Sequence, residues 1–182
     1  MNFHTARSRA PLRLGLAGGG TDVSPYCDRF GGYVMNVTID RYAYASVTPA
    51  ADGRTCFNAL DFGGTDHHIC GQVVCLDGPL KLARGVYARI CRDYLNHRQP
   101  ALLIHTYSDA PPGSGLGSSS TMVVALVQAF VEYFGLPLSE YEVAHLAYQI
   151  ERKDQVWPGA NWCNASGPGT WWRSSSRRST SG

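Results

Sequence analysis

Residues Pro111 to Ser120 read PPGSGLGSSS and lead straight into a mostly apolar run from Met122 to Val131. A glycine-serine loop that opens a helix restricts the fold around it. Glycines let backbone N–H groups approach a ligand closely. A helix start carries unpaired N–H groups and partial positive charge, so the junction attracts an anion, most often a phosphate. The hydroxyls of Ser118, Ser119 and Ser120 can cap the helix or reach a phosphate-bound Mg2+. The plainer reading is a glycine-rich turn with a serine cap.

Three better-known loops are excluded by inspection. No lysine stands between Lys81 and Lys153, so the loop is not a P-loop. Gly113-x-Gly115 is followed by Ser118 where a dinucleotide-binding turn needs a third Gly or Ala, and Pro111-Pro112 separates the loop from the strand-like run Leu102 to Tyr107. A G-x-S-x-G elbow is absent, because Pro112 and Leu116 stand two residues before Ser114 and Ser118.

Upstream, Leu12, Leu14 and Leu16 alternate and predict a half-buried strand. It ends in Gly18-Gly19-Gly20, then Thr21-Asp22, Pro25-Tyr26, Gly31-Gly32 and a second strand-like run from Tyr33 to Ile39. A carboxylate on a glycine turn can accept hydrogen bonds from sugar hydroxyls. It can equally cap its own backbone as an Asx turn.

Taken together, the two segments resemble the GHMP small-molecule kinases, the superfamily of galactokinase, homoserine kinase, mevalonate kinase and phosphomevalonate kinase. PPGSGLGSSS is similar to their phosphate-binding motif P-x-x-G-L-G-S-S-x, and APLRLGLAGGGTD to their N-terminal strand and turn. AGGGTD followed by Pro25-Tyr26 looks most like the members that phosphorylate D-glycero-D-manno-heptose 7-phosphate. Galactokinases carry GEHTD at that turn, so Asp22 is kept while the Glu-His pair becomes glycine. The resemblance spans about residues 7–154.

The resemblance implies an α+β protein with the ribosomal S5 domain 2-like fold of the GHMP N-terminal domain. It implies transfer of the γ-phosphoryl group of ATP to a hydroxyl of a phosphorylated heptose, at the anomeric carbon. Gly113, Gly115, Leu116, Gly117, Ser118 and Ser119 would hold ATP. Ser119 and Glu151 would hold Mg2+, which phosphoryl transfer needs to bridge the β- and γ-phosphates. Arg13 would face the transferred group as the catalytic residue, and Gly19, Gly20, Thr21 and Asp22 would bind sugar hydroxyls. Glu142 is the second candidate for the metal. For Glu151 the alternative is an ordinary exposed carboxylate beside Arg152 and Lys153. The competing class of function is a non-catalytic remnant that binds a nucleotide or a sugar phosphate.

Local patterns agree with this organisation. Tyr42 to Thr48 alternates as a strand. Pro79 to Tyr94 is amphipathic, with Leu82, Val86, Ile90 and Tyr94 near a helical period. Gly135 suits the residue just past the end of the loop's helix. Ser139-Glu-Tyr-Glu142 is a capping box for a helix running to about Arg152. Early strands with later helices covering one face predict α+β.

The chain changes character after Asp154. Residues 155–182 hold all four Trp, three of the sixteen basic residues and none of the fourteen acidic ones, so they carry +3 while residues 1–154 carry −1. No period runs through them. Heptose kinases of this type continue with a Gly-Gly-Lys-Gln-Asp-Gln-like segment whose Asp the resemblance implies as catalytic base; here the chain reads ERKDQVWPGANW. The expectation is residues 1–154 as the ATP-binding domain, then an aberrant or disordered tail from a frameshift or truncation, with the C-terminal GHMP domain missing and negligible turnover by this chain. The alternative is a genuine basic tail whose Trp residues stack on bases.

A net charge of +2 predicts no nucleic-acid partner, and no apolar run reaches the ~18 residues of a membrane span. The expected partners are ATP and a phosphorylated sugar, and the expected location is cytoplasmic. The six Cys lack CxxC pairs and are expected to be reduced thiols, mostly in the core. His67, His68, Cys70 and Cys75 lack the spacing of a tetrahedral metal site.

Overall fold

The computed structural model describes residues 4–22, 24–76, 80–152 and 173–174. The elements are β1 (Ala6–Ala17), α1 (Tyr26–Phe30), β2 (Met35–Pro49), β3 (Arg54–Ala59), β4 (Gly64–Ile69), α2 (Lys81–Tyr94), β5 (Leu102–Ser108), α3 (Ser118–Phe134), α4 (Glu140–Arg152) and β6 (Arg173–Ser174). The strands form one sheet in the order β4-β3-β5-β2-β1-β6. All neighbours are antiparallel except β3 and β5, which run parallel with α2 crossing between them. The fold is α+β, as expected.

The apolar run after the loop explains the centre of the molecule. α3 packs against β1, β2 and β5 on one side and against α2 and α4 on the others. A helix enclosed in this way must be apolar nearly all round, and Val123, Leu126, Val127 and Phe130 are fully buried. They meet Val47, Phe57 and Ile104 from the sheet and Val86 and Ile90 from α2. Each such side chain contributes roughly 1.5–3 kcal/mol when buried. Ser8 of β1 donates a hydrogen bond to the Ala125 carbonyl of α3 and ties strand to helix.

Several expectations need correction. The strand-like runs Tyr33 to Ile39 and Tyr42 to Thr48 merge into one strand, β2, which begins at Met35. Leu12 is buried, but Leu14 and Leu16 are exposed. The cause is a register break between Pro11 and Arg13, where the β1 partner jumps from Tyr42 to Thr38. A bulge changes which side chains face inward. Leu12 and Arg13 are consecutive and both buried, and beyond them the β1–β2 hairpin leaves the core. α2 begins at Lys81, and Pro79 lies outside the described residues. Of the described Cys only Cys91 is buried, where burial pushes its thiol up to about 11; Cys27, Cys56 and Cys70 are half-buried and Cys75 is exposed. Cys163, all four Trp and Asp154 lie outside the described residues. Arg173–Ser174 pairs with Ser8 and Arg9 at the edge of β1.

Candidate active site

The glycine-serine loop and the bulged strand meet at the start of α3. The Arg13 N–H donates to the Leu116 carbonyl at 3.2 Å, so the loop is tied to β1 by its backbone. Gly117 is the N-cap of α3, with φ of 69°, a left-handed conformation that side chains disfavour. A methyl on Gly117 would lie 3.0 Å from Arg13 Cζ and 3.1 Å from Nη1. The bulge therefore aims the Arg13 guanidinium at the last glycine of the loop. The first turn of α3 carries no acidic residue and no side-chain cap. A cation and an uncapped helix N-terminus at one point make an anion site. Gly113 and Gly115 are exposed along the loop and Leu116 and Ser118 are half-buried at its base.

The serines do not cap the helix. Ser119 Oγ donates instead to Glu151 Oε1 at 3.3 Å. Glu151 is 1% exposed, so it is not a surface carboxylate. α4 delivers it there because its own start is fixed by the capping box. The Ser139 N–H and Oγ both donate to Glu142 Oε2 at 2.7 Å, and the Glu142 N–H donates to Ser139 Oγ at 3.3 Å. These bonds, the side-chain one first, hold the Glu142 carboxyl below the usual range. Glu142 is thus engaged at the opposite end of α4 from Glu151. Mg2+ takes oxygen donors, usually one or two carboxylates with water and phosphate oxygens completing the shell. The Ser119 hydroxyl and Glu151 carboxylate fit that ion.

The AGGGTD turn opens beyond β1, roughly 13 Å of strand from Arg13. Gly18 is required there: a methyl on it would overlap the Tyr33 carbonyl. Thr21 Oγ1 donates to the Gly18 carbonyl at 2.7 Å and accepts from the Tyr33 N–H at 3.1 Å. The Thr21 hydroxyl is therefore engaged in holding the turn. Gly19 and Gly20 are exposed, and Asp22 is half-buried. The structure brings Arg13, Gly117, Ser119 and Glu151 together.

A cavity of ≈ 330 Å³ adjoins the loop. Gly113, Ser118 and Ser119 form one part of its wall, and Asp61, Phe62, Leu80 and Met122 contribute to the rest. The sequence reading missed the β3–β4 hairpin and with it Asp61 and Phe62. The available signal was the alternation of Arg54 to Ala59 followed by Gly63-Gly64.

Residues 81–163 match the family described as GHMP kinases N terminal domain. This fold and this loop agree with that match, which spans the stretch from α2 through α4. The D-glycero-alpha-D-manno-heptose 7-phosphate kinase of Campylobacter jejuni is 45% identical over 150 residues, covering 82% of this chain and 44% of that protein. A D-glycero-D-manno-heptose 1-phosphate kinase from Bacteroides thetaiotaomicron has a crystal structure that matches at TM-score 0.79 and 49% identity, over 86% of this chain and 51% of that one. The Methanococcus jannaschii mevalonate kinase matches at TM-score 0.69 and 19% identity, over 82% and 46%, a likeness of fold alone. The chain spans about half the length of these relatives. Among the described residues no helix is long and apolar enough to cross a membrane.

Proposed function

We propose that the chain supplies the nucleotide-binding domain, residues 1–154, of an ATP-dependent sugar kinase acting in the cytoplasm. The acceptor is the anomeric hydroxyl of D-glycero-D-manno-heptose 7-phosphate. The observation that carries the reading is the Arg13 guanidinium set against Gly117, with Ser119, in the first turn of α3, bonded to Glu151. Phosphoryl transfer asks little covalent chemistry of a protein and much positioning of charge. The loop N–H groups cradle the phosphates, and Arg13 offsets charge on the transferred group. Ser119 and Glu151 hold the metal, which when bound supplies charge neutralisation between the phosphates. Asp22 accepts hydrogen bonds from acceptor hydroxyls, and the cavity takes the nucleoside end. The names of the two heptose kinases above support a phosphorylated heptose as the acceptor.

The test is calorimetric titration of the chain with MgATP, then with heptose 7-phosphate, free heptose, galactose, homoserine and mevalonate. Binding of MgATP and preference for heptose 7-phosphate are expected. No nucleotide binding overturns the site; preference for homoserine or mevalonate overturns the sugar acceptor and leaves the fold standing.

A further inference from the structure

Both ends of the glycine-serine loop are tied to the break in the β1–β2 pairing. The far end is held by the bond from the Arg13 N–H to the Leu116 carbonyl, just past the break. The near end follows Asp109, the residue after β5. The last β2–β5 partners are Ala43 and Ser108, so Tyr42 and Asp109 would pair next. The Asp109 N–H donates to the Tyr42 carbonyl at 3.0 Å, as a ladder requires. The return bond, which a continuing strand would take on its own carbonyl, runs instead from the Tyr42 N–H to Asp109 Oδ2 at 2.8 Å. The Tyr44 hydroxyl donates to the same oxygen at 3.5 Å. Ser108 Oγ likewise accepts the Ala110 N–H at 3.3 Å. Side chains thus end the ladder, and the main chain turns into Pro111-Pro112, which have no N–H to pair. On its other side Tyr42 is the partner of Pro11, where the β1–β2 pairing breaks.

We propose that Asp109 is a positioning residue for the phosphate site: its carboxylate, by fixing Tyr42 at the edge of the bulge, sets where the loop stands relative to Arg13. The proposal rests on the reading of the loop as a nucleotide site. The loop is strung between two anchors on one bulge, the Asp109–Tyr42 pair at its start and the Arg13–Leu116 bond at its end. The glycines between them have little conformational preference of their own, so the anchors decide its position. Arg13 Cζ stands 3.0 Å from where a Cβ on Gly117 would lie, so a small shift of either anchor changes what an anion meets there. Asp109 itself is exposed and acts through the Tyr42 backbone. That role needs an acceptor at this place rather than a charge.

The experiment is calorimetric titration of the chain with ATP and with inorganic triphosphate at fixed Mg2+. It compares the wild type, Asp109→Ala, Asp109→Asn, Arg13→Ala and the double variant of Asp109→Ala with Arg13→Ala, each beside a thermal melt. Asp109→Ala should weaken both ligands about tenfold or more, the size of one lost hydrogen bond to a charged group. Asp109→Asn keeps an acceptor for the Tyr42 N–H and should bind both nearly as the wild type does. Once Arg13 is gone, the position of the loop against it no longer matters, so the double variant should bind little worse than Arg13→Ala alone. Full affinity in Asp109→Ala, even with a lowered melting temperature, makes Asp109 a structural end to the ladder and overturns the proposal. So do losses that add in the double variant, an Asp109→Asn as weak as Asp109→Ala, or a loss confined to ATP. Should Asp109→Ala fail to fold, the wild type decides. A contact that favours the binding-competent loop is favoured by binding in turn, so triphosphate should slow hydrogen exchange at the Tyr42 N–H by a comparable factor. Unchanged exchange there overturns the proposal. If the wild type binds neither ATP nor triphosphate, the nucleotide-site reading fails and this proposal with it.

Discussion

Gly117 answers to two constraints, its φ of 69° and the Arg13 guanidinium 3.0 Å from where a Cβ would stand. Gly117→Ala should therefore weaken MgATP binding by tenfold or more, about 1.4 kcal/mol. The left-handed backbone should cost about 1–2 kcal/mol of stability. Calorimetry beside a thermal melt separates the two, and unchanged affinity would make the loop a plain turn. Glu151 is buried, so Glu151→Ala would mix loss of a metal ligand with a cavity. Glu151→Gln preserves volume, and it should abolish the gain in ATP affinity that Mg2+ gives the wild type while heptose phosphate binds as before. Retained Mg2+ dependence would return Glu151 to a packing role. Asp22→Asn should weaken heptose phosphate binding by roughly ten- to a hundredfold, about 1.5–3 kcal/mol for a hydrogen bond to a charged group, with MgATP unaffected. Equal affinities would leave Asp22 as a turn residue. Arg13, the loop and Glu151 were legible in the sequence because each sits in a short motif or on a helix with clear ends. Asp61 was not, because the cavity that it lines is assembled from separate segments of the chain.

Helix ends were the most legible elements. Gly135 closes α3 in the left-handed conformation with its N–H on the Val131 carbonyl, and Ser139 opens α4, both read from local chemistry. Strands were harder, because a bulge and a hairpin depend on the partner strand. The Arg13 register break could not be read from β1 alone. The α4 cap gives a testable coupling. Ser139→Ala should cost on the order of 1 kcal/mol in urea unfolding near neutral pH. The sign of its pH dependence follows from Glu142, whose folded pKa is depressed below its ordinary 4.5 by the Ser139 bonds. Such a group adds stability that is fully present above that ordinary value and is lost as pH falls through the depressed one. The gap between wild type and Ser139→Ala should therefore hold near pH 7 and narrow as pH falls below Glu142's ordinary value. A gap that widens in acid would mean that Glu142 does not carry the cap.

Across the whole molecule, the packed body and the outer half of the β1–β2 hairpin differ in kind. β2 is buried at Ala43, Ala45 and Val47 but exposed at Met35 and Val37. Beyond the bulge, Leu16 is 59% exposed, Phe30 71%, Tyr33 91% and Met35 61%. Alternating leucines suggested a strand buried on one face along its length, but how far a strand runs past its core is set by the helices below it. Scattered exposed apolar side chains are ordinary, whereas a run of them along one hairpin promotes association. The chain should therefore bind a hydrophobic dye in the native state, and its apparent mass by sedimentation should rise with concentration. Leu16→Lys with Met35→Lys should suppress both. The melting temperature should move little, since these side chains bury little surface. Should the wild type stay monomeric and dye-free at high concentration, the hairpin residues are solvated one by one and form no cohesive patch. A large fall in melting temperature in the double variant would instead mean that these residues support the fold itself.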